Sequence, residues 1–212
     1  MVHWTEGHPR EHSHENFPPR DAKSVRAFVA VRMNHRVEDA IAATIEDLRR
    51  PRDGVRWVPR LNLHVTLKFL GPAVDPHRLE PLTTGLHELA RKTAGFDVEA
   101  SGLGAFPNLE HARAIWVGLH SVELGALAAR VESTAAAYGF ERENRRWSGH
   151  LTIGRIRDKR LPSKTRELLH ANVDREFGTS RIESITLYRS HLLPEGSNYE
   201  ALATFLFGKR EL

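Results

Sequence analysis

Residues 61–71 read LNLHVTLKFLG, and residues 148–156 read SGHLTIGRI. Each is an apolar run interrupted by a histidine and, two positions later, a threonine. Side chains alternate between the two faces of a β-strand. His64 and Thr66 therefore share a face while Val65 takes the other, and His150 and Thr152 share a face around Leu151. Each stretch would set an imidazole beside a hydroxyl. One such pair alone is more often a hydrogen-bonded structural feature than a catalytic one. Two copies carry weight only if they occupy equivalent places in the chain.

The surrounding pattern indicates that they do. RAFVAVRM predicts a strand from Arg26, and Val37, Ile41, Ile45 and Leu48 mark a helical stripe stopped by Pro51. The first motif strand follows over 63–70, closed by Gly71-Pro72. Asp75 and Pro76 suit the N-cap and first position of a helix with Leu79, Leu82, Leu86 and Leu89 on one face. Gly95 ends that helix, and FDVEAS reads as a strand. The order then returns. RAIWVGLH at 113–120 is a strand, and Ser121 caps a helix carrying Leu124, Leu127, Val131 and Tyr138, ended by Gly139. The second motif strand covers 150–156, a shorter helix runs from Pro162-Ser163 to about Leu169, and IESITLYRS is the next strand. Phe28 to His64 spans 36 residues and Ile115 to His150 spans 35. This spacing predicts an internal repeat over about 26–101 and 113–191. A duplicated unit packed by a pseudo-two-fold brings equivalent strands together across a cleft.

Residues 1–24 are polar, rich in His and Pro, and without period, which predicts a flexible extension. His3, His8, His12 and His14 would have no fixed geometry there for a functional metal site. Residues 25–208 are expected to form a single bilobal domain. Of the 212 residues 40% are hydrophobic and 27% charged, the balance of a soluble globular chain. No run of about 18 apolar residues suggests a membrane span, and the first residues lack the apolar segment of a signal peptide. The absence of cysteine excludes disulfides, thiolate catalysis and cysteine-based zinc sites, and suits the cytoplasm. A formal net charge of +4, carried mainly by arginine, suits a polyanionic partner but equally suits a compositional bias.

An imidazole, with an ordinary pKa of about 6.5, gives or takes a proton near neutrality. Two of them flanking a substrate form an acid–base couple, and two hydroxyls can donate to the oxygens of a phosphoryl group as charge builds. That set suits phosphodiester cleavage without a metal or other cofactor. No carboxylate stands at ligand spacing from either motif and HExxH is absent. There is also no G-x-S-x-G elbow, P-loop or G-x-G-x-x-G.

From about residue 25 to 208 the chain resembles the two-histidine (2H) phosphoesterases, and most closely the LigT-like RNA 2′,3′-cyclic phosphodiesterases, also called 2′-5′ RNA ligases. HVTLKFLG and HLTIGRI resemble the two signatures of that family. GAFPNLEHARAIWVGL resembles its connecting segment and LYRSHLLPEGSNYEALATFLF its C-terminal hairpin. The resemblance implies an α+β fold of two pseudo-symmetric lobes, with mainly antiparallel sheets facing across a central cleft and helices outside. It implies His64 as proton donor, His150 as proton acceptor, and Thr66, Thr152 and Arg155 as phosphate-binding residues. Gly149 replaces a proline common before the second histidine. Gly154 replaces an alanine and is expected to loosen the strand approach.

Phe106 is a candidate for lining the cleft, and Trp57, Trp116 and Trp147 could stack a base, although Trp116, in an apolar strand, is expected in the core. Arg113, Arg145 and Arg146 are candidates for backbone phosphates against a default of solvated charge. His111, His120, His170 and His191 carry no assigned chemistry. The expected activity is metal-independent opening of RNA 2′,3′-cyclic ends to 2′-phosphates. Alternatives are 2′-5′ RNA end ligation on the same site, a phosphodiesterase for a small cyclic nucleotide, and a non-catalytic RNA-end binding module. Substrates would be RNA 3′ ends or small cyclic-phosphate nucleotides, and the protein is expected to act as a monomer.

Overall fold

The strands and helices run in the order β1 (Val25–Val31), α1 (His35–Leu48), β2 (Val55–Trp57), β3 (Val65–Val74), α2 (Pro76–Arg91), β4 (Phe96–Phe106) and β5 (Ala114–His120), then α3 (Val122–Ala137), β6 (His150–Ile156), α4 (Ser163–Ala171), β7 (Glu176–Ile182), β8 (Ser184–Leu193) and β9 (Gly196–Leu206). This computed structural model describes residues 23–51, 53–157, 161–193 and 196–208. The extension expected over 1–24 therefore lies outside the described residues except for Lys23 and Ser24.

The helices form where caps and apolar stripes coincide. Asn34 accepts from the Val37 amide at the start of α1, and Val37, Ile41, Ile45 and Leu48 are buried beneath it. Asp75 and Ser121 cap α2 and α3 through the amides of His77 and Leu124. Such caps satisfy amides that the first turn leaves without partners. Among the described residues no helix is long and apolar enough to cross a membrane.

The fold is α+β with two antiparallel sheets, ordered β3-β1-β8-β9 and β2-β6-β5-β4-β7. With β2 and β7 set aside, β1-α1-β3-α2-β4 has the element order of β5-α3-β6-α4-β8, yet neither stretch builds a sheet by itself. β4 pairs with β5, and β8 pairs with β1, so the last strand of each stretch joins the other's sheet. Helices cross over as well: α1 packs on β7 and α3 on β3. One cluster of buried side chains runs through both sheets, from Val29 and Leu187 to Ile115 and Ile153.

Several boundaries differ from the sequence expectation. Gly71-Pro72 does not close the first motif strand, which continues to Val74. The pairing Ala27↔Gly71 followed by Val25↔Val74 makes an irregular step there, with Gly71 at φ 148°. β3 is an edge strand, where a proline can be accommodated with its nitrogen turned away from the ladder. The stretch IESITLYRS is divided at Glu183: Ile182 ends β7 in the larger sheet and Ser184 begins β8 in the smaller. β7 itself buries Phe177, Ser180 and Ile182, too sparse a pattern to announce a strand.

Candidate active site

His64 immediately precedes β3, and Thr66 lies within it; His150 opens β6, and Thr152 follows. Both motif strands sit beside the first strand of their stretch, β3 on β1 and β6 on β5. Each carries an irregularity at the same point. In the smaller sheet Ala30 faces Thr66 and Val29 faces Lys68, which leaves Leu67 as an extra residue. In the larger sheet Trp116 faces Thr152 and Ile115 faces Gly154, which leaves Ile153 extra.

A bulge inserted into a strand shifts the alternation of faces beyond it. Strict alternation would put Lys68 and Gly154 on the face of the threonines. Instead Lys68 lies opposite the buried Val29 and Gly154 opposite the buried Ile115, while Arg155 faces Ala114 on the threonine side. Arg155 is exposed there.

The two imidazoles are held alike. His64 Nδ1 lies 2.7 Å from the Asn62 carbonyl oxygen, and His150 Nδ1 lies 2.8 Å from that of Ser148. A carbonyl can only accept, so each Nδ1 carries a proton. That makes each Nε2 an acceptor in the neutral ring and a donor in the charged one.

The support of His64 is built in layers. Arg32 donates to both oxygens of the buried Glu38 carboxylate, each at 2.9 Å, and its remaining nitrogen donates to the Leu61 carbonyl at 3.0 Å. This holds the 3₁₀ turn Arg60–Asn62, and the Asn62 side chain donates to the Ser197 carbonyl at 2.6 Å. The turn thereby presents the carbonyl that orients His64. Phe28 and Tyr199 flank the His64 ring, each with its ring centroid 4.9 Å away, and Tyr188 stacks on Phe28. On the other sheet Phe106 meets the His150 ring edge-on at 5.0 Å, and Arg145 lies over Phe106.

Burial lowers the His64 pKa from its ordinary 6.5, the hydrogen bond to Asn62 opposes this, and the charges of Arg155, Arg32 and His150 lower it further. His64 of one sheet and His150 and Arg155 of the other are thus within electrostatic reach. The strands β3 and β6 approach each other, and the Trp147 indole, three residues before His150, donates to the Thr66 carbonyl at 3.0 Å.

Trp116 is not in the core as expected. It is partly exposed on the same face as its cross-strand neighbour Thr152, and it lies across Gly104, where a Cβ would come within 2.2 Å of the indole. Only a residue without a side chain on β4 leaves room for it. Trp57, by contrast, is 8% exposed and its indole donates to Asp53 at 2.8 Å. Gly154 does not loosen the strand approach: a Cβ there would meet Val55 and Trp57 at about 3 Å, so its absence lets β2 close on β6. The sequence reading passed over Phe28, Tyr188, Tyr199 and Arg32 as site residues. They come from β1, β8, β9 and the end of β1, and no local pattern links them to His64. Among the described residues no group of three or more His, Cys, Asp or Glu could hold a metal ion.

Residues 37–192 match the 2′-5′ RNA ligase superfamily. The chain is 31% identical over 182 residues to the RNA 2′,3′-cyclic phosphodiesterase of Methanothermobacter thermautotrophicus, covering 85% of this chain and 98% of that protein. It is 30% identical over 190 residues to the RNA 2′,3′-cyclic phosphodiesterase of Aquifex aeolicus, covering 88% and 99% respectively. A crystal structure of a Thermus thermophilus protein superposes with a TM-score of 0.73 at 26% identity, covering 88% of this chain and all of that one. Two matched His-x-Thr strands in two antiparallel sheets, and this extent of similarity, place the chain in the 2′-5′ RNA ligase superfamily, to which it belongs.

Proposed function

We propose that this protein hydrolyses RNA 2′,3′-cyclic phosphate ends to 2′-phosphates by a two-histidine mechanism without a metal ion. The observation that carries the reading is the matched presentation of His64 and His150. In each, the carbonyl two residues earlier accepts from Nδ1–H, and the threonine two residues later shares the strand. The activity named for the relatives supports the substrate class.

In this mechanism His150 Nε2 takes a proton from water as its oxygen attacks phosphorus. The bond from phosphorus to the 3′ oxygen breaks, and His64 Nε2 gives its proton to that oxygen. Thr66 and Thr152 donate to the non-bridging oxygens, where charge grows, and Arg155 offsets it. The assignment of acid and base rests on the family resemblance, because the two presentations are alike. His64, with its lowered pKa, is mostly neutral near pH 7 in the free protein. A bound phosphate would favour its charged form and so load the acid on substrate binding.

The reading treats residues 25–208 as one bilobal domain, in keeping with the exchange of β4 and β8 between sheets. It also takes the protein as a cytoplasmic monomer, which suits a chain without cysteine. The test is product analysis on an oligonucleotide ending in a 2′,3′-cyclic phosphate, with EDTA present throughout. A 2′-phosphate is expected from the wild type, and a loss of 100-fold or more from His64→Ala and from His150→Ala, the scale of a lost acid–base group. A 3′-phosphate product, or near-wild-type turnover in either variant, would refute it.

A further inference from the structure

Among the described residues β2 has no counterpart in the smaller sheet: it is a fifth strand on the outer side of β6. Its pairing is Val55↔Ile156, Arg56↔Arg155 and Trp57↔Gly154. Residues directly opposite on neighbouring strands project to the same face, so Arg56 and Arg155 stand side by side. That face also bears Thr152, because Arg155 faces Ala114 and Thr152 faces Trp116, two residues apart on β5. Like charges placed directly opposite destabilise a sheet. Both guanidinium groups are exposed, and neither is paired with a carboxylate of the described residues.

The strand that brings Arg56 there is firmly built. The Asp53 carboxylate, 7% exposed, accepts from the Arg50 amide at 3.1 Å, the Val55 amide at 2.9 Å and the Trp57 indole at 2.8 Å. Arg56 thus lies between two residues that are tied to one buried carboxylate. Gly154 lets Trp57 close on β6 and completes the alignment. A short edge strand is fixed here in a way that sets one exposed guanidinium beside another.

Position narrows the ligand. Along the sheet Arg155 stands two ladder positions beyond Thr152, Ile153 being the extra residue between them, about 7 Å, and Arg56 is one strand further across, about 5 Å. One sugar–phosphate unit can bridge such an offset. We propose that Arg56, beside the Arg155 that meets the reacting phosphate, forms a second phosphate subsite, which takes the internucleotide phosphate preceding the cyclic 3′ end of an RNA chain. The inference rests on the hydrolysis proposed above and makes the protein selective for RNA ends over a nucleoside cyclic phosphate. A planar fork suits this contact, since Arg meets phosphate with two parallel donors.

The test compares two substrates on wild type and Arg56→Gln: a nucleoside 2′,3′-cyclic phosphate with a free 5′-hydroxyl, and an oligonucleotide with the same cyclic end. Arg56→Gln is expected to lower kcat/KM for the oligonucleotide about tenfold and to leave the nucleoside substrate within about twofold. The salt dependence of the oligonucleotide reaction should flatten by about 0.7 in log–log slope, the loss of one single-strand phosphate contact. Arg56→Lys, which keeps the charge but not the fork, should recover part of the loss. An equal fall on both substrates, no fall on either, or no recovery by lysine would overturn the subsite. Wild-type protein that opens neither substrate would instead overturn the hydrolysis itself, and the subsite with it.

Discussion

Replacing Lys68 by methionine tests how the two sheets are held in register. Lys68 is 2% exposed, and its ammonium lies 3.0 and 2.9 Å from the two Glu132 oxygens and 2.7 Å from the Glu141 carbonyl oxygen. Glu132 lies on α3 and also accepts from the Glu143 amide, so the ammonium ties β3 to α3 and to the chain leading into His150. Methionine keeps the apolar stem and deletes the charge. The Glu141 carbonyl then loses this donor, but Glu132, with its side chain 22% exposed, can regain water. Removing one partner of a buried pair costs about 3–5 kcal/mol, and this partial access puts Lys68→Met near the lower end, about 3 kcal/mol. Glu132→Leu should cost more, because the ammonium left behind has almost no route to solvent. The double variant should be no less stable than Glu132→Leu alone, since replacing a buried pair by apolar groups removes the uncompensated charge. Urea unfolding with unchanged m-values measures all three, and the single lysine variant should melt about 6–12 °C lower. A Lys68→Met cost below about 1 kcal/mol, or additive losses in the double variant, would refute the reasoning.

Three further outcomes are expected. Thr66→Val and Thr152→Val should each cost about 2–4 kcal/mol of transition-state stabilisation, the scale of a lost oxyanion donor; an unchanged rate with a lowered melting temperature would leave the hydroxyls a structural role only. If His64 is the acid, kcat/KM should fall as pH rises through a pKa below 6.5, because its folded pKa is depressed and only the charged form donates; a fall that begins only well above 6.5 would refute His64 as the acid. For Asp53, burial raises the pKa, but the Arg50 amide, the Trp57 indole and the Val55 amide together hold it below 3.8, so its stabilisation is present above that pH and is lost as pH falls. Asp53→Ala should accordingly cost about 2 kcal/mol near pH 7, through the donors left unpaired, and progressively less toward pH 3, as followed by thermal melts across that range.

Local chemistry written along the chain was enough to identify several parts of the molecule. The stripes Val37-Ile41-Ile45-Leu48 and Leu79-Leu82-Leu86-Leu89, with caps at Asp75 and Ser121, lie where the structure has helices, because caps and amphipathic periods act within a few residues. The doubled His-x-Thr was likewise visible, since two-residue spacing alone puts both groups on one face. What lay beyond the sequence depends on partners far away in the chain. A bulge exists only relative to the strand beside it, so nothing in LTIGRI says that Ile153 is the extra residue that turns Arg155 toward Thr152, or in VTLKF that Leu67 turns Lys68 toward Glu132. The crossing of β4 and β8 between sheets, the edge strand that brings Arg56 to Arg155, and the seat of Trp116 over Gly104 have the same origin. Each is set by contacts between residues far apart in the chain, so only the packing of the whole chain decides it.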